Sequence, residues 1–507
     1  TRTRVEIGML LLQMRDVAGA QRIIDLLDQS GERDTVERAL LRARTDLAQA
    51  RYSEAVEAAQ QAVTLAPDRK TPRTLLAQAA AQRDVHDPAW RPSVPLPAAA
   101  HVPVPGHVLH IVSNALPARQ SGYAIRTQSI GHAQLEAGLQ PLIASRRQDD
   151  IRRGVKPPAR WTVGDVSYGL TATGLEHAER PDQTASMNAR GIASLVEEHG
   201  AAVLHPATPW TNLQAAIAVR ERYRIPVVYE VRGFREETWT VKSPELAASS
   251  VHYEVESTLE TALMREADAI VTLSDEMRDR LVERGIPAGD ITVVTNAVDV
   301  ERFTPQPRDD ALGRRLGLGD GPVIGYISTF AVFEGIEVLI GATAELRRRG
   351  RGVKCLLVGD GAQWEALHEV ARRQGLDDRT VIFAGRVAHA DIKAYYSLID
   401  AFVVPRLDVS TARLVTPLKP YEAMAMERVV VMSRLDALMG MITEGVTGLS
   451  FTPGDAHDLA DVLEPLLIDP ERRATIGAAA GEWVREHRSW RRNAERYLEL
   501  YQRLGAA

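Results

Sequence analysis

Eleven short apolar runs, separated by amphipathic stretches, constrain what residues 108–433 can fold into. The first six are VLHIVS (108–113), PLIAS (141–145), AVLHP (202–206), PVVYEV (226–231), AIVTLS (269–274) and ITVVT (291–295). A second series follows the segment TNAVDVERFTPQPRDD: PVIGYI (322–327), VKCLLVG (353–359), VIFAG (381–385), AFVVP (401–405) and VVVMS (429–433). Runs that are apolar throughout, rather than alternating, suit parallel strands covered by helices on both faces. Two such series predict two Rossmann-like α/β domains. A ligand then belongs beyond the carboxyl ends of the strands, in the cleft where the domains face each other.

Residues 1–84 carry a different pattern. Leu40, Leu41, Ala43, Leu47, Ala48, Ala55, Ala59 and Ala62 recur at helical spacing with no strand-like alternation, which predicts helices only. The stretch DLAQARYSEAVEAAQQAVTLAPDR (46–69) looks like the core of a tetratricopeptide (TPR) repeat, with Tyr52, small Ala55, Ala59 and Ala62, and closing Pro67. A weaker copy precedes it, with Ala20 placed 35 residues before Ala55. A plain helical hairpin is the alternative. Both readings predict a helical appendage, suited to a protein partner or to self-association. Prolines at 88, 92, 95, 97, 103 and 105 then fix φ and withhold donors, so residues 85–106 are expected to form an extended strap between domains.

Composition narrows the function. Lys plus Arg number 61 against 67 Asp plus Glu, a net charge of −6, which gives no electrostatic reason to expect nucleic acid as partner. Cys355 is the only cysteine, so an intramolecular disulfide and a cysteine-rich zinc site are both excluded. No apolar run approaches the roughly 20 residues of a transmembrane segment. Charges interrupt the apolar stretch near the N-terminus, so no cleavable signal is expected and the chain is expected to be cytoplasmic.

The fragments ADAIVTLSDEMRDRLVERG, ITVVTNAVDVERFTP, LLVGDG, VIFAGRV, and TPLKPYEAMAMERVVVMS followed by EGVTGL carry a family resemblance. In their order and spacing the chain resembles a retaining glycosyltransferase of the GT-B fold, in the large GT4 family, over about residues 107–505. The resemblance implies an α/β protein with two Rossmann-like domains facing across a cleft, preceded by the all-helical TPR-like domain. Residues 107–305 would be the acceptor domain and 306–485 the nucleotide-sugar domain, with 486–507 a last helix crossing back to the N-terminal lobe. The implied activity moves a sugar from a nucleoside-diphosphate sugar to an acceptor: a polysaccharide, glycoconjugate or specialised metabolite. No metal or other cofactor is implied, and the 13 histidines form no HxxxH or comparable ligand cluster. The alternative is a catalytically silent GT-B/TPR scaffold that binds a partner.

Glycosyl transfer needs a site that neutralises a departing diphosphate while positive charge grows at the anomeric carbon. Thr416 suits a helix N-cap, with Pro417 at the first helical position. Free amides of Leu418 and Lys419 would then meet the anion at the positive end of the helix dipole, where Lys419 adds a full charge. A well-capped helix with a solvated lysine is the alternative. In the resembling family Glu422 is the second member of an E-x7-E pair and accepts ribose hydroxyls. The first member would stand at 414, where this chain has Leu414; Asp408 is the expected replacement, or else a surface carboxylate.

The family's basic pair after the first strand of the C-terminal domain is also missing. Ser328-Thr329 and Glu334-Gly335 stand there instead. A carboxylate at 334 would repel a diphosphate, so Arg406 and Arg413 are the expected substitutes, with solvated loop arginines as the alternative. Gly122 lets the backbone of the N-terminal lobe approach the phosphates, between the acceptor-side candidates Ser121 and Tyr123. Arg232 stands where many relatives have histidine. Permanently protonated, it is expected on phosphate or on an anionic acceptor, unless it pairs with Glu230 or Glu236. His205 is expected near the cleft, and Arg386 where relatives read the nucleobase. Arg232, Lys419, Arg406 and Asp408 form the expected catalytic set. Residues 146–170, rich in arginine, are expected to shape the acceptor pocket or to form a solvated loop.

Overall fold

In the computed structural model, which describes residues 2–30, 35–97, 99–146, 158–171, 180–242 and 250–507, every one of the eleven apolar runs contains a strand. The N-terminal lobe holds β1 (His107–Val112), β2 (Gln140–Ser145), β3 (Arg160–Val163), β4 (Val166–Leu170), β5 (Val203–Pro206), β6 (Val228–Val231), β7 (Ala269–Thr272) and β8 (Ile291–Val293). Their order is β3-β4-β2-β1-β5 and β6-β7-β8, and backbone bridges at Leu204–Val227 and Ala207–Glu230 join the two sets. The C-terminal lobe holds β9 (Val323–Ile327), β10 (Lys354–Val358), β11 (Val381–Gly385), β12 (Ala401–Val404), β13 (Val429–Ser433) and β14 (Leu449–Phe451). These run in the order β11-β10-β9-β12-β13-β14, and every pairing is parallel. Val203, Leu204, Phe402, Val403 and Val430 are wholly buried, as expected of strands with helices on both faces. Apolar area removed from water in this way, at about 25 cal/mol per Å², is the main favourable term holding each lobe.

The structure changes the reading of residues 146–170. Residues 160–170 form the antiparallel hairpin β3–β4, which extends the sheet beside β2. The expectation of an acceptor-shaping loop at 147–157 falls outside the described residues.

The appendage consists of α1 (Arg2–Gln13), α2 (Val17–Gln29), α3 (Val36–Ala48), α4 (Tyr52–Leu65) and α5 (Lys70–Val85). Asp16 and Thr35 cap α2 and α3, accepting from the amides of Gly19 at 2.7 Å and Arg38 at 3.2 Å. Ala39, Ala43, Ala58, Ala59 and Ala62 are buried where α3 to α5 approach one another, as small side chains allow. The array docks on the N-terminal lobe. The Gln214 amide donates to the Val85 carbonyl at 3.0 Å, and His86 lies 3.2 Å from the Tyr52 hydroxyl and 3.7 Å from the Glu256 carboxylate. Beyond Val85, which ends α5, the proline-rich strap has no helix or strand among its described residues up to 106. Arg91 pins it to Glu221 at 2.9 Å and Glu266 at 2.5 Å.

The helix Trp490–Arg503 returns to the N-terminal lobe and packs on α6 (Gly122–Glu136). Arg126 and Gln134 of α6 donate to the hydroxyls of Tyr497 and Tyr501, each at 3.2 Å. That contact fixes the orientation of α6, whose first turn faces the other lobe.

Candidate donor site in the cleft

A cavity of about 450 Å³ opens between the lobes at the carboxyl ends of β1, β9, β10 and β11. Arg119, Gln120, Ser121 and Gly122 form its N-terminal wall; Ser328, Thr329, Gly359, Asp360, Arg386, His389 and Lys419 form its C-terminal wall. The structure thus brings together Ser121, Gly122, Ser328, Thr329, Arg386 and Lys419 of the residues expected from sequence. Arg119, Gln120, Asp360 and His389 are additional.

Local chemistry explains the walls. Ser121 caps α6, its hydroxyl accepting from the Ala124 amide at 3.3 Å. Gly122 faces Leu418 across the cleft: a Cβ there would lie 3.7 Å from the Leu418 side chain. The turn after β9 is braced by the turn after β10. Gly359 has φ +142°, and a Cβ on it would fall 1.8 Å from the Ser328 carbonyl oxygen. Gly359→Ala must therefore push the two turns apart. It is expected to cost about 1–3 kcal/mol of stability and to weaken nucleotide binding; urea unfolding and nucleotide titration measure the two effects.

Among the described residues, Ser328 Oγ on this wall is buried with no hydrogen-bond partner, and His389 Nε2 has only the long 3.9 Å contact with Glu422. Buried polar groups are normally satisfied, so these are capacity for a polar ligand. The backbone amides of Leu418 and Lys419 are also without partners among the described residues.

Lys419 Nζ lies 3.3 Å from Glu422, whose carboxylate accepts from the Tyr396 hydroxyl at 2.7 Å and stands 3.9 Å from His389. Burial alone would raise the Glu422 pKa. The Lys419 charge, His389 and Tyr396 outweigh it and hold the value at about 2, so the group is an ionised acceptor at neutral pH. Glu422 itself is buried behind Lys419 rather than in the cavity wall.

Several expectations are corrected. Thr416 is not a helix cap: the helix runs Lys419–Ala425, Leu418 takes the cap position with no side-chain bond, and Pro420 rather than Pro417 enters the first turn. The Thr416 carbonyl and hydroxyl both accept from the Asn296 amide, at 2.7 and 3.3 Å. Leu418 is buried against the N-terminal lobe and the last helix.

Arg406 does not face the cavity. Its guanidinium forks onto both oxygens of buried Glu334 at 3.1 Å each and donates to the Val415 carbonyl at 2.7 Å. Tyr326 donates to the same carboxylate. Glu334 is thereby neutralised, so it is no longer a naked charge beside a phosphate. Arg413 and Asp408 pair with each other on the exposed surface, outside the cavity wall.

Arg232 forms the salt bridge that was its alternative. It donates to Glu230 at 3.1 Å, to the Thr127 hydroxyl at 2.6 Å and to the Tyr123 carbonyl at 3.1 Å. The Tyr123 hydroxyl donates to the Thr208 carbonyl at 2.9 Å, away from the cavity. His205 is wholly buried, not at the cleft: it sits between Tyr501 and Glu230, and burial pushes its pKa down.

Comparison with known proteins places these features. A family profile described as "Glycosyl transferase 4-like domain" matches residues 121–297, and one described as "Glycosyl transferases group 1" matches residues 321–469. A GDP-mannose-dependent alpha-(1-6)-phosphatidylinositol monomannoside mannosyltransferase of Mycolicibacterium smegmatis is 30% identical over 250 residues, 47% of this chain and 64% of the relative. A D-inositol 3-phosphate glycosyltransferase of Saccharomonospora viridis is 29% identical over 348 residues, 66% of this chain and 78% of the relative. The matched span is thus less than two thirds of the mannosyltransferase. Among solved structures, sucrose-phosphate synthase from Thermosynechococcus elongatus superposes with a TM-score of 0.67 at 22% identity, covering 79% of this chain and 99% of that one. Residues 1–106 lie outside both family matches. Among the described residues, no helix is long and apolar enough to cross a membrane.

Proposed function

Because the chain joins a glycosyl transferase 4-like domain to a group 1 domain, it belongs to the GT-B glycosyltransferases, and we propose that it transfers a sugar from a nucleoside-diphosphate sugar to an acceptor with retention at the anomeric carbon. The observation that carries this reading is the cavity shared by both lobes at the strand ends, with Lys419 and the unpartnered Ser328 hydroxyl in its wall. The diphosphate lies against Lys419, Ser328 and the free amides at 418–419, which stabilise the negative charge it gains on leaving. The acceptor hydroxyl attacks the anomeric carbon from the face the diphosphate vacates, and a phosphate oxygen takes its proton. This scheme needs cations around the leaving group and asks neither a metal nor a side-chain base to act.

Among the described residues, none of 1–84 lines the cavity, and a docking role for a protein partner or a second copy is part of this reading. An open, polar-lined cavity favours catalysis over a silent scaffold. A cytoplasmic location is part of the same proposal. Polysaccharides, glycoconjugates and specialised metabolites are the acceptor classes to try. The donor panel includes GDP-mannose, the donor named for the mycobacterial relative. Purified protein is incubated with nucleotide sugars and acceptors and the product's anomeric configuration read by NMR. Binding of no nucleoside diphosphate, or an inverted product, would overturn the reading.

A further inference from the structure

The chain leaves β8 as Val294-Thr295-Asn296 on its way from one lobe to the other, and this short stretch is held with unusual firmness. Arg126 of α6 donates to the carbonyls of Val294 at 2.8 Å and Thr295 at 3.0 Å, and to the side-chain oxygen of Asn296 at 3.1 Å. Arg126 is itself buried and anchored on the Glu230 carboxylate at 2.7 Å. Asn493 of the last helix adds a bond to the Thr295 carbonyl at 2.8 Å.

These bonds fix which way the Asn296 amide faces. Its oxygen must meet the Arg126 guanidinium, because a flipped amide would set two donors against each other. The nitrogen is therefore aimed at the C-terminal lobe, where it donates to the Thr416 carbonyl at 2.7 Å and the Thr416 hydroxyl at 3.3 Å. Asn296 is 5% exposed, so water does not compete for these bonds. Three residues on, Lys419 enters the cavity wall. The helix Lys419–Ala425 has no capping side chain of its own to fix its first turn, and Pro417 has no N–H to give. Asn296, reaching across from the other lobe, supplies the anchor that a cap would have supplied.

We propose that Asn296 is a positioning residue for sugar transfer: by holding the Thr416–Leu418 turn it sets where Lys419 meets the donor's diphosphate. Asn296 does not line the cavity and acts through Lys419. This rests on the glycosyltransferase reading.

The test compares full-length protein with N296D and N296A. Aspartate keeps the shape and still accepts from Arg126, but cannot donate to the Thr416 carbonyl. Alanine removes both contacts and adds no charge. Urea curves identify conditions under which each protein is fully folded. Affinities for UDP and GDP, affinities for uridine and guanosine, and transfer kinetics are read under those conditions. Both variants should bind nucleoside diphosphate roughly 3- to 10-fold more weakly, the scale of one neutral hydrogen bond. Their kcat should fall about 10- to 100-fold, as when a group acting on the reacting centre is displaced. Nucleoside affinity and the acceptor's KM should keep parental values. A residue that only stabilises the fold would lower the urea midpoint and leave the folded variants' affinity and kcat unchanged; that result overturns the assignment. So does a loss in N296D alone, which marks a charge effect, or an equal loss of nucleoside affinity, which marks a deformed pocket. If the unaltered protein binds no nucleoside diphosphate, the glycosyltransferase reading falls, and this assignment with it.

Discussion

Replacing Lys419 by alanine is expected to lower kcat about 10²- to 10³-fold, the scale seen when one preorganised donor to a developing anion is removed. Lys419 is the cavity-wall cation closest to the unbonded amides at 418–419, so its loss falls on the departing diphosphate. The acceptor's KM should stay near the parental value. A kcat within tenfold of the parent would refute the leaving-group role.

The same variant carries a second signature. Lys419 is the main force holding the buried Glu422 carboxyl at about pKa 2. A folded pKa below the unfolded one contributes stability that is fully present above the unfolded value, near 4.5, and is lost as pH falls towards 2. K419A removes that contribution, so parent and variant should differ most in urea stability at neutral pH and converge near pH 2 to 3. A gap that does not change with pH would mean that Lys419 and Glu422 are not coupled.

The strands were legible because buried parallel strands leave continuous apolar runs, and VVVMS or AFVVP can hardly serve otherwise. The strands without such runs escaped. β3 reads RWTV with an exposed, alternating face, and β14 is three residues long. At the site, residues whose position comes from their own loop were readable: Gly122, Ser328 and Lys419 all line the cavity. Residues claimed by distant partners were not. Thr416-Pro417 carries a sound capping signal, yet Asn296, 120 residues earlier, takes both its oxygens. Ser274 likewise holds the Leu414 carbonyl at 3.2 Å, and Ser410 donates to Glu237 at 2.6 Å. Much of the segment before the Lys419 helix is therefore held by the opposite lobe, with Arg406 of its own lobe holding the Val415 carbonyl. Leu414, standing where the family's first glutamate would be, packs against the N-terminal core instead of facing a sugar. Arg119, which lines the cavity, stands two residues before Ser121 in the loop that sequence already placed at the cleft. His389 had none.

Glu334 and Arg406 are the instructive pair, because two departures from the family pattern, each puzzling alone, cancel. Arg406→Met alone is expected to destabilise the C-terminal lobe by about 3–5 kcal/mol, since it leaves the Glu334 carboxylate buried with only Tyr326 to stabilise it. Glu334→Leu alone should cost a similar amount by stranding the guanidinium. The triple variant R406M/E334L/Y326F replaces every member with an apolar group of comparable size and should recover most of the loss, because a buried ion pair contributes little net stability once its desolvation is counted. Urea unfolding of the single and combined variants measures the coupling. Nucleotide affinity then separates two roles for Arg406. If it only balances Glu334, the triple variant binds nucleoside diphosphate like the parent. A triple variant that folds well but loses the nucleotide would return Arg406 to the phosphate.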